Sequence, residues 1–451
     1  MYQRSIIEKL LQWKNSSGRK PLVLRGARQV GKTSVVHLFA QHFEQYIYLN
    51  LETSEDKEIF SKFSSIHDLL KAIFFLKEKD LHKPNTLIFI DEIQEVPEAL
   101  AILRYFYEKY PQYHVIAAGS LLESLFCNHI SFPVGRVEYM VVRPFSFREF
   151  LEAMGEKAAL EQYLSAKVEI YAHDKLLKLF HDYALIGGMP EVIKTYAETK
   201  NLTSLKTIYD SLILSYIDDV EKYASTVSQV QCMRHVIRSS FYEAATRIKF
   251  QGFGQSSYSS REMGEALRTV EKAFIINLIY PTTQVSQPFL PDVKKSPRLQ
   301  VLDTGMLNHF AGIQTQVLGA RDLNNLYQGR VAEHIAGQEM LAAQEDLIHP
   351  LRFWVREKKE STAEIDYLFP YRGRMIPVEV KSGATGSLRS LHQYMEMSDE
   401  TIAIRLYAGN ASINQIQTPN GKTFELHSLP YYLAGNLMEY CNRTLTFIQS
   451  F

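Results

Sequence analysis

Short apolar runs separated by amphipathic, helix-length stretches set the rhythm of the first third of the chain. Pro21-Leu22-Val23-Leu24 and the runs 46–51, 86–90 and 114–118 are each brief, bounded by polar residues and suited to strands buried on both faces. Strands of that kind alternating with helices predict a doubly wound parallel sheet, which binds ligands at the C-terminal ends of its strands. Upstream, Ile6, Ile7, Leu10 and Leu11 recur at helical spacing and predict a helix packed on that sheet. From Pro144 the strand rhythm stops. Residues 148 to about 250 read as helices, interrupted by Gly187-Gly188-Met189-Pro190. Between 226 and 315 a helix, a Ser/Gly/Gln-rich break at 251–260, a second helix through Val270 and the apolar run 273–280 follow the order of a winged helix-turn-helix. A third rhythm begins near Gly329, with a helix carrying Glu333 and strands around Phe353, Ile365, Val378 and Ile404. The expected parts are a sheet core over 1–165, a helical lid over 166–225, a winged-helix-like segment over 226–315 and a second α/β domain over 316–451.

A chain of 451 residues is too long for one ordinary core, which agrees with several domains. Lys plus Arg equals Asp plus Glu at 50 each, so net charge neither argues for nor excludes a nucleic-acid partner. The three cysteines, Cys127, Cys232 and Cys441, lie far apart without metal-ligand spacing; they indicate neither a disulfide framework nor a zinc site, and fit a reducing, cytoplasmic setting. No stretch approaches the roughly 18 apolar residues that span a bilayer, so no membrane partner is expected.

The strand at Pro21 runs into residues 26–33, Gly26-Ala27-Arg28-Gln29-Val30-Gly31-Lys32-Thr33, and a helical run follows. In this order the residues form a phosphate-binding loop. Its glycines let backbone N–H groups curl around phosphate oxygens, Lys32 neutralises the β- and γ-phosphates, and Thr33 offers a hydroxyl to Mg²⁺. The strand Leu87-Ile88-Phe89-Ile90 ends in Asp91-Glu92: Asp91 is the candidate Mg²⁺ holder and Glu92 the candidate to polarise the attacking water. A further strand leads into Gly119-Ser120, which makes Ser120 a sensor candidate beside the γ-phosphate. Arg136, after Gly135, is a candidate to stabilise transition-state charge within its own chain or on a neighbour.

These elements, with Arg143-Pro144-Phe145-Ser146-Phe147-Arg148-Glu149-Phe150 and Gly187-Gly188-Met189-Pro190-Glu191, resemble the prokaryotic AAA-type ATPases that carry a C-terminal domain of unknown function. Residues 299–307, Leu-Gln-Val-Leu-Asp-Thr-Gly-Met-Leu, match that family's Asp-x-Gly-Leu element loosely. The resemblance covers essentially the whole chain. It implies ATP rather than GTP as ligand and places the Gly188-Met189-Pro190 element, Pro190 included, on the adenine side of the pocket.

Near the C-terminus two alternating runs flank Arg372-Gly373, a two-residue hairpin turn. The register that turn imposes sets Asp366 opposite Glu379 and Glu364 opposite Lys381 on one face. Like charges so placed repel unless a divalent cation lies between them. With Glu333 upstream, Asp366, Glu379 and Lys381 resemble the PD-(D/E)xK nuclease fold, in which carboxylates bind Mg²⁺ and a lysine orients the attacking water. Gln393 falls where that resemblance places a further polar residue.

The expected fold is therefore α/β: a P-loop AAA-type parallel sheet, a helical lid, a winged-helix segment and a C-terminal nuclease-like domain. The expected function is an ATP-hydrolysing switch coupled to a metal-dependent nuclease-like domain acting on nucleic acid. The alternative is an ATP-regulated binding or scaffold protein whose nuclease-like domain does not cut. Oligomeric state stays open, with a homo-oligomer among the options.

Overall fold

The computed structural model describes residues 2–63, 65–119, 135–167, 169–224, 226–318, 323, 329–344, 350–358, 361–381 and 388–445. They fall into two units, each with its own interior: Met1–Arg143 with Lys272–Phe274, and Pro144–Glu271 with Ile275–Phe451. The first unit thus ends at Arg143, and the helices of 144–165, expected within the sheet core, belong to the second.

In the first unit the four anticipated strands form as β1 (Leu22–Arg25), β2 (Gln45–Asn50), β3 (Thr86–Asp91) and β4 (His114–Ala118), and β5 (Glu138–Val141) joins them. All pair in parallel in the order β2-β3-β4-β1-β5. Strands β3 and β4 are buried along their whole length, which is why they read as unbroken apolar runs. The helices are α1 (Ile6–Asn15), α2 (Lys32–Phe39), α3 (Ser54–Lys62), α4 (Ile66–Leu76) and α5 (Pro97–Lys109). On α1 the buried positions are Ile6, Ile7, Leu10 and Trp13, one stripe of a 3.6-residue period. Val23, Ile88 and Ile90 pack with Leu69, Ile73, Leu100 and Leu103 in a continuous apolar core beneath α4 and α5.

The second unit opens with α6 (Phe147–Ala153), α7 (Lys157–Leu164), α8 (Ile170–Ile186), α9 (Pro190–Thr199) and α10 (Lys206–Asp219). Part of the motif around Phe145 is a helix start: Ser146 caps α6, accepting from the Glu149 N–H while the Glu149 carboxylate accepts from the Ser146 N–H. Next come α11 (Val227–Tyr242), α12 (Ser260–Lys272) and the strands β6 (Ile276–Ile279), β7 (Pro281–Thr282) and β8 (Arg298–Val301), with β6 and β8 antiparallel. Helices α13 (Thr304–Phe310), α14 (Gln314–Leu318) and α15 (Arg330–Ala343) lead to β9 (Arg352–Lys358), β10 (Ser361–Tyr371), β11 (Arg374–Val380), α16 (Arg389–Met397), β12 (Ile402–Tyr407), β13 (Ser412–Gln417), β14 (Thr423–Pro430) and α17 (Leu437–Thr444). The sheet is mixed, in the order β13-β14-β12-β11-β10-β9-β7. Helix α16, which carries Gln393, packs Leu391, Tyr394 and Met395 against Trp354, Ile365, Ala403 and Leu426 on one face of that sheet.

The hairpin register is the expected one. Tyr371 pairs with Arg374 and Tyr367 with Val378, and both turn residues have positive φ, Arg372 at 46° and Gly373 at 79°, as a tight two-residue turn requires.

Candidate functional site

Residues 26–31 leave the buried end of β1 and curl back into the N-terminus of α2. Gly26 has φ 141°, and a side chain there would place its Cβ 2.2 Å from the Val142 carbonyl oxygen, so only glycine fits. Gly31, left-handed at φ 93°, turns the chain into α2. Lys32 is buried, its Nζ donating to the carbonyls of Gly26 at 3.0 Å and Ala27 at 2.9 Å, which holds the ammonium over the loop. In the first turn of the helix, Thr33 donates its hydroxyl to Asp91 Oδ2 at 2.7 Å. Two segments 58 residues apart thus meet through the two side chains expected to serve one Mg²⁺. Burial raises the Asp91 pKa above the usual carboxylate range against the lowering effect of the Thr33 hydrogen bond, and a nearby cation would reverse that cost. Glu92 follows in a left-handed conformation, φ 51° and ψ 45°, a backbone strain of about 1 kcal/mol that turns its side chain out of the strand direction. Gln94 Nε2 donates to Glu92 Oε2 at 2.5 Å. Arg28 lies toward Glu52 at 3.8 Å.

Arg136 is not brought to its own phosphate loop. It precedes β5, and the pairing of Leu22 with Glu138 sets it at the starting edge of the parallel sheet, about six residues or 20 Å from the loop. There it pairs with Glu108 at 3.2 Å, at the end of α5. The arginine that β5 carries to the loop end is Arg143: Val142 N–H donates to the Arg25 carbonyl at 2.8 Å, and the next residue lies level with the loop. Burial pushes the Arg143 guanidinium down to about 10. Arg4, unmarked by any motif, donates to the carbonyls of Val30 at 3.1 Å and Arg143 at 2.7 Å and so braces the loop from before α1. Ser120 lies outside the described residues. Pro190, in the second unit, is the first residue of α9.

Within the second unit the remaining motifs converge on a buried polar network. Asp303 accepts from the N–H groups of Gly188 at 2.6 Å and Met306 at 3.0 Å, and burial pushes its pKa up to about 6. Thr304 meets His334 Nδ1 at 2.9 Å, and the Thr304 N–H donates to Gln338 Oε1 at 2.9 Å. Gln338 Nε2 donates to the Tyr183 hydroxyl at 3.1 Å, and Tyr183 donates to Glu339 Oε1 at 2.8 Å. Glu339 also accepts from the Phe147 N–H at 3.0 Å. Burial pushes Glu339 up to about 7 and His334 down to about 3. Neither Glu339 nor His334 belongs to any stretch singled out in the sequence; the signal available was their place on the apolar face of the helix that carries Glu333.

The C-terminal carboxylates are close together. Asp366 and Glu379 are buried, Lys381 Nζ lies 2.7 Å from Glu379 Oε1, and Glu333 faces Asp366 and Lys381 closely enough to feel both charges. Burial first, then the neighbouring acids, pushes Glu333 and Glu379 well above the ordinary carboxylate value. The ladder ends at the pair Tyr367 and Val378, a register shift on the β9 side falls between Ile365 and Leu368, and Asp366 turns its Oδ2 to the Val380 N–H at 2.8 Å. Glu364, expected opposite Lys381, is paired instead with Arg298 and with Arg247, the latter at 3.5 Å. Arg298 went unnoticed in the sequence. It donates to the Asp366 carbonyl at 2.8 Å, with its Nη2 also 3.5 Å from Asp366 Oδ1. Burial opposes its charge, but Glu333, Asp366 and Glu364 outweigh burial and hold its pKa above the usual value. Among the described residues no group of three or more His, Cys, Asp and Glu side chains is disposed to hold a metal ion.

Residues 18–151 match the AAA domain family. The match covers β1, the loop and the Asp91-Glu92 strand end whose geometry is described above. The first unit is an AAA-type ATPase domain. Residues 26–33 are the candidate phosphate contacts of that domain, and Thr33 and Asp91, joined at 2.7 Å, are the oxygen donors that would hold a Mg²⁺ there and balance phosphate charge. Residues 177–317 and 328–430 match two families each described as a domain of unknown function (DUF8612 and DUF4143). No curated protein matches the chain. Three of the solved structures similar to it illustrate the likeness. They are the Walker-type ATPase of Pyrococcus abyssi (14% identity, 69% of this chain and 96% of that one, TM-score 0.44), C. elegans PCH-2 (12%, 45% and 64%, 0.27) and Drosophila ORC bound to DNA (15%, 58% and 65%, 0.26). TM-scores this low carry no argument about what the AAA domain is coupled to. Among the described residues no helix is long and apolar enough to cross a membrane.

Proposed function

We propose that the chain is an ATP-hydrolysing switch whose nuclease-like C-terminal domain binds nucleic acid in a nucleotide-dependent way without cutting it. The observation that carries the hydrolytic half is the Thr33 to Asp91 hydrogen bond, with Lys32 held over the loop and Glu92 next in the chain. In the reaction Lys32 would neutralise the phosphates and Glu92 orient the attacking water, and Thr33 and Asp91 would hold a Mg²⁺ whose charge screens that developing on the phosphate. Support for the coupled half comes from α15. At one position it carries Glu339, bonded to Phe147 at the start of α6 and to Tyr183 of the lid helix α8. About 9 Å along its axis it carries Glu333, facing the C-terminal acids. A shift of the lid helices therefore acts on the C-terminal cluster through one rigid element. The order α11, α12 and the antiparallel β6–β8 pair supports a winged-helix reading of the nucleic-acid contact.

A cutting enzyme is the second reading, favoured by Glu379, Lys381 and Asp366 meeting in one place. A divalent ion does not fit there as the side chains stand, because the Arg298 guanidinium already lies among those carboxylates.

Two measurements test the proposal. Purified protein is expected to hydrolyse ATP and Lys32→Ala to fail, and binding of labelled DNA or RNA is expected to change between ATP and ADP only in the unmodified protein. Binding indifferent to nucleotide would remove the switch. Cleavage of plasmid or single-stranded substrates in Mg²⁺ or Mn²⁺, lost in Asp366→Ala and Lys381→Ala, would restore the cutting reading.

A further inference from the structure

The acids of the C-terminal cluster are matched by cations of the same chain. Glu333, Glu357, Glu364, Asp366 and Glu379 stand among Arg247, Lys295, Arg298 and Lys381, through Lys381 to Glu379 at 2.7 Å, Arg247 to Glu357 at 2.7 Å, Lys295 to Glu357 at 2.5 Å, Arg247 to Glu364 and Arg298 to both Glu364 and Asp366. Five acids against four bases leave one negative charge when all are ionised, too little to call for a divalent ion. Arg298 occupies the centre. Its residue exposure is 3%, and its guanidinium lies over the rings of Phe353 at 4.9 Å and Tyr367 at 5.4 Å. The planar fork reaches the Asp366 carbonyl with one nitrogen and the Glu364 and Asp366 carboxylates with the other. A lysine offers no such fork, and an oxygen-seeking metal would gain nothing from aromatic rings on the flanks.

We infer that Arg298 is the resident cation of this cluster: the carboxylates that the hairpin pattern assigns to a metal form a socket for a guanidinium, and the socket fastens β8 to the C-terminal sheet. This deepens the non-cutting reading and rests on it. Asp366 serves two partners at once, Val380 N–H through Oδ2 and Arg298 through Oδ1, so a divalent ion on Oδ1 would lie against the guanidinium charge. Removing the guanidinium releases Asp366 Oδ1 and Glu364 Oε1 together, in a pocket where Glu379 Oε2 also has no hydrogen-bond partner. Those oxygens are the ligand type a hard divalent cation takes.

The test is Mn²⁺ uptake by the nucleotide-free, full-length protein, read from the loss of the free-ion EPR signal. Unmodified protein and Asp366→Asn are expected to take up the same amount, since the background from the AAA domain is common to both. Arg298→Met is expected to gain about one equivalent, lost again in the Arg298→Met, Asp366→Asn double variant, with a thermal midpoint that rises on adding Mn²⁺. An equivalent bound by the unmodified protein and missing from Asp366→Asn overturns the inference, as does a folded Arg298→Met that gains none. If Arg298→Met does not fold, the first comparison decides by itself. Nucleic-acid binding indifferent to ATP would sink the switch while leaving the Mn²⁺ result unchanged, so the two ideas fail separately.

Discussion

Replacing Glu339 by Gln should stabilise the protein at alkaline pH and leave it nearly unchanged at acid pH. Burial pushes this carboxyl from an ordinary 4.5 up to about 7, against the opposing hydrogen bonds from Tyr183 and the Phe147 N–H. A carboxyl with a raised folded pKa holds its proton more tightly in the native state. Its favourable contribution is complete below about pH 4.5 and is lost as pH rises through 7. Two and a half units at 1.36 kcal/mol each make the loss about 3 kcal/mol by pH 8.5. Gln cannot ionise, yet its amide oxygen can still accept from Tyr183 and Phe147, so Glu339→Gln should escape most of that loss. On a unit of this size 3 kcal/mol shifts the thermal midpoint by on the order of 6 °C. The assay is thermal unfolding of both proteins at pH 5 and pH 8.5. Asp303 and Glu271, also raised by burial, titrate in both proteins and cancel in the difference. A Glu339→Gln effect of equal size at the two pH values would refute the reasoning, because it would make the carboxylate's charge irrelevant to folding.

Glu92→Gln should retain nucleotide binding while its turnover falls by roughly 10²-fold or more; turnover within two-fold of the unmodified protein would remove Glu92 from the chemistry. Arg143→Ala should weaken ATP binding by about ten-fold, the equivalent of about 1.4 kcal/mol, whereas Arg136→Ala should leave binding unchanged, and titration of a fluorescent ATP analogue separates the two. In Gly26→Ala the new Cβ would lie 2.2 Å from the Val142 oxygen at a φ of 141°, so the loop must open; a cost of roughly 1–3 kcal/mol and loss of analogue binding are expected, and normal binding would show that the loop yields freely.

Features confined to one stretch of chain were legible beforehand. Four strands of the first unit, the phosphate loop and the hairpin about Arg372-Gly373 each depend on neighbours in sequence; they formed in the expected order, and the hairpin holds the expected register from Tyr371–Arg374 as far as Tyr367–Val378. Strand β5 was missed because its four residues, half exposed at the sheet edge, lack an unbroken apolar run. The place of Arg136 stayed open for a related reason. Without β5 and its pairing with β1, nothing in the sequence says which edge of the sheet the arginine occupies.

By itself the sequence determined that a phosphate loop follows a buried strand, that Asp91-Glu92 ends another, and that Asp366 and Glu379 come near each other across a tight turn. Alternation and helical period say which face of an element is buried. They do not say which distant side chain arrives there. Only the tertiary structure brought Arg298 to Asp366 across 68 residues, Asp303 to Gly188 across 115 and Glu339 to Phe147 across 192. A buried charge must find a partner wherever the fold supplies one. The acids near the hairpin could therefore be read from local pattern, while the cation that neutralises them could not.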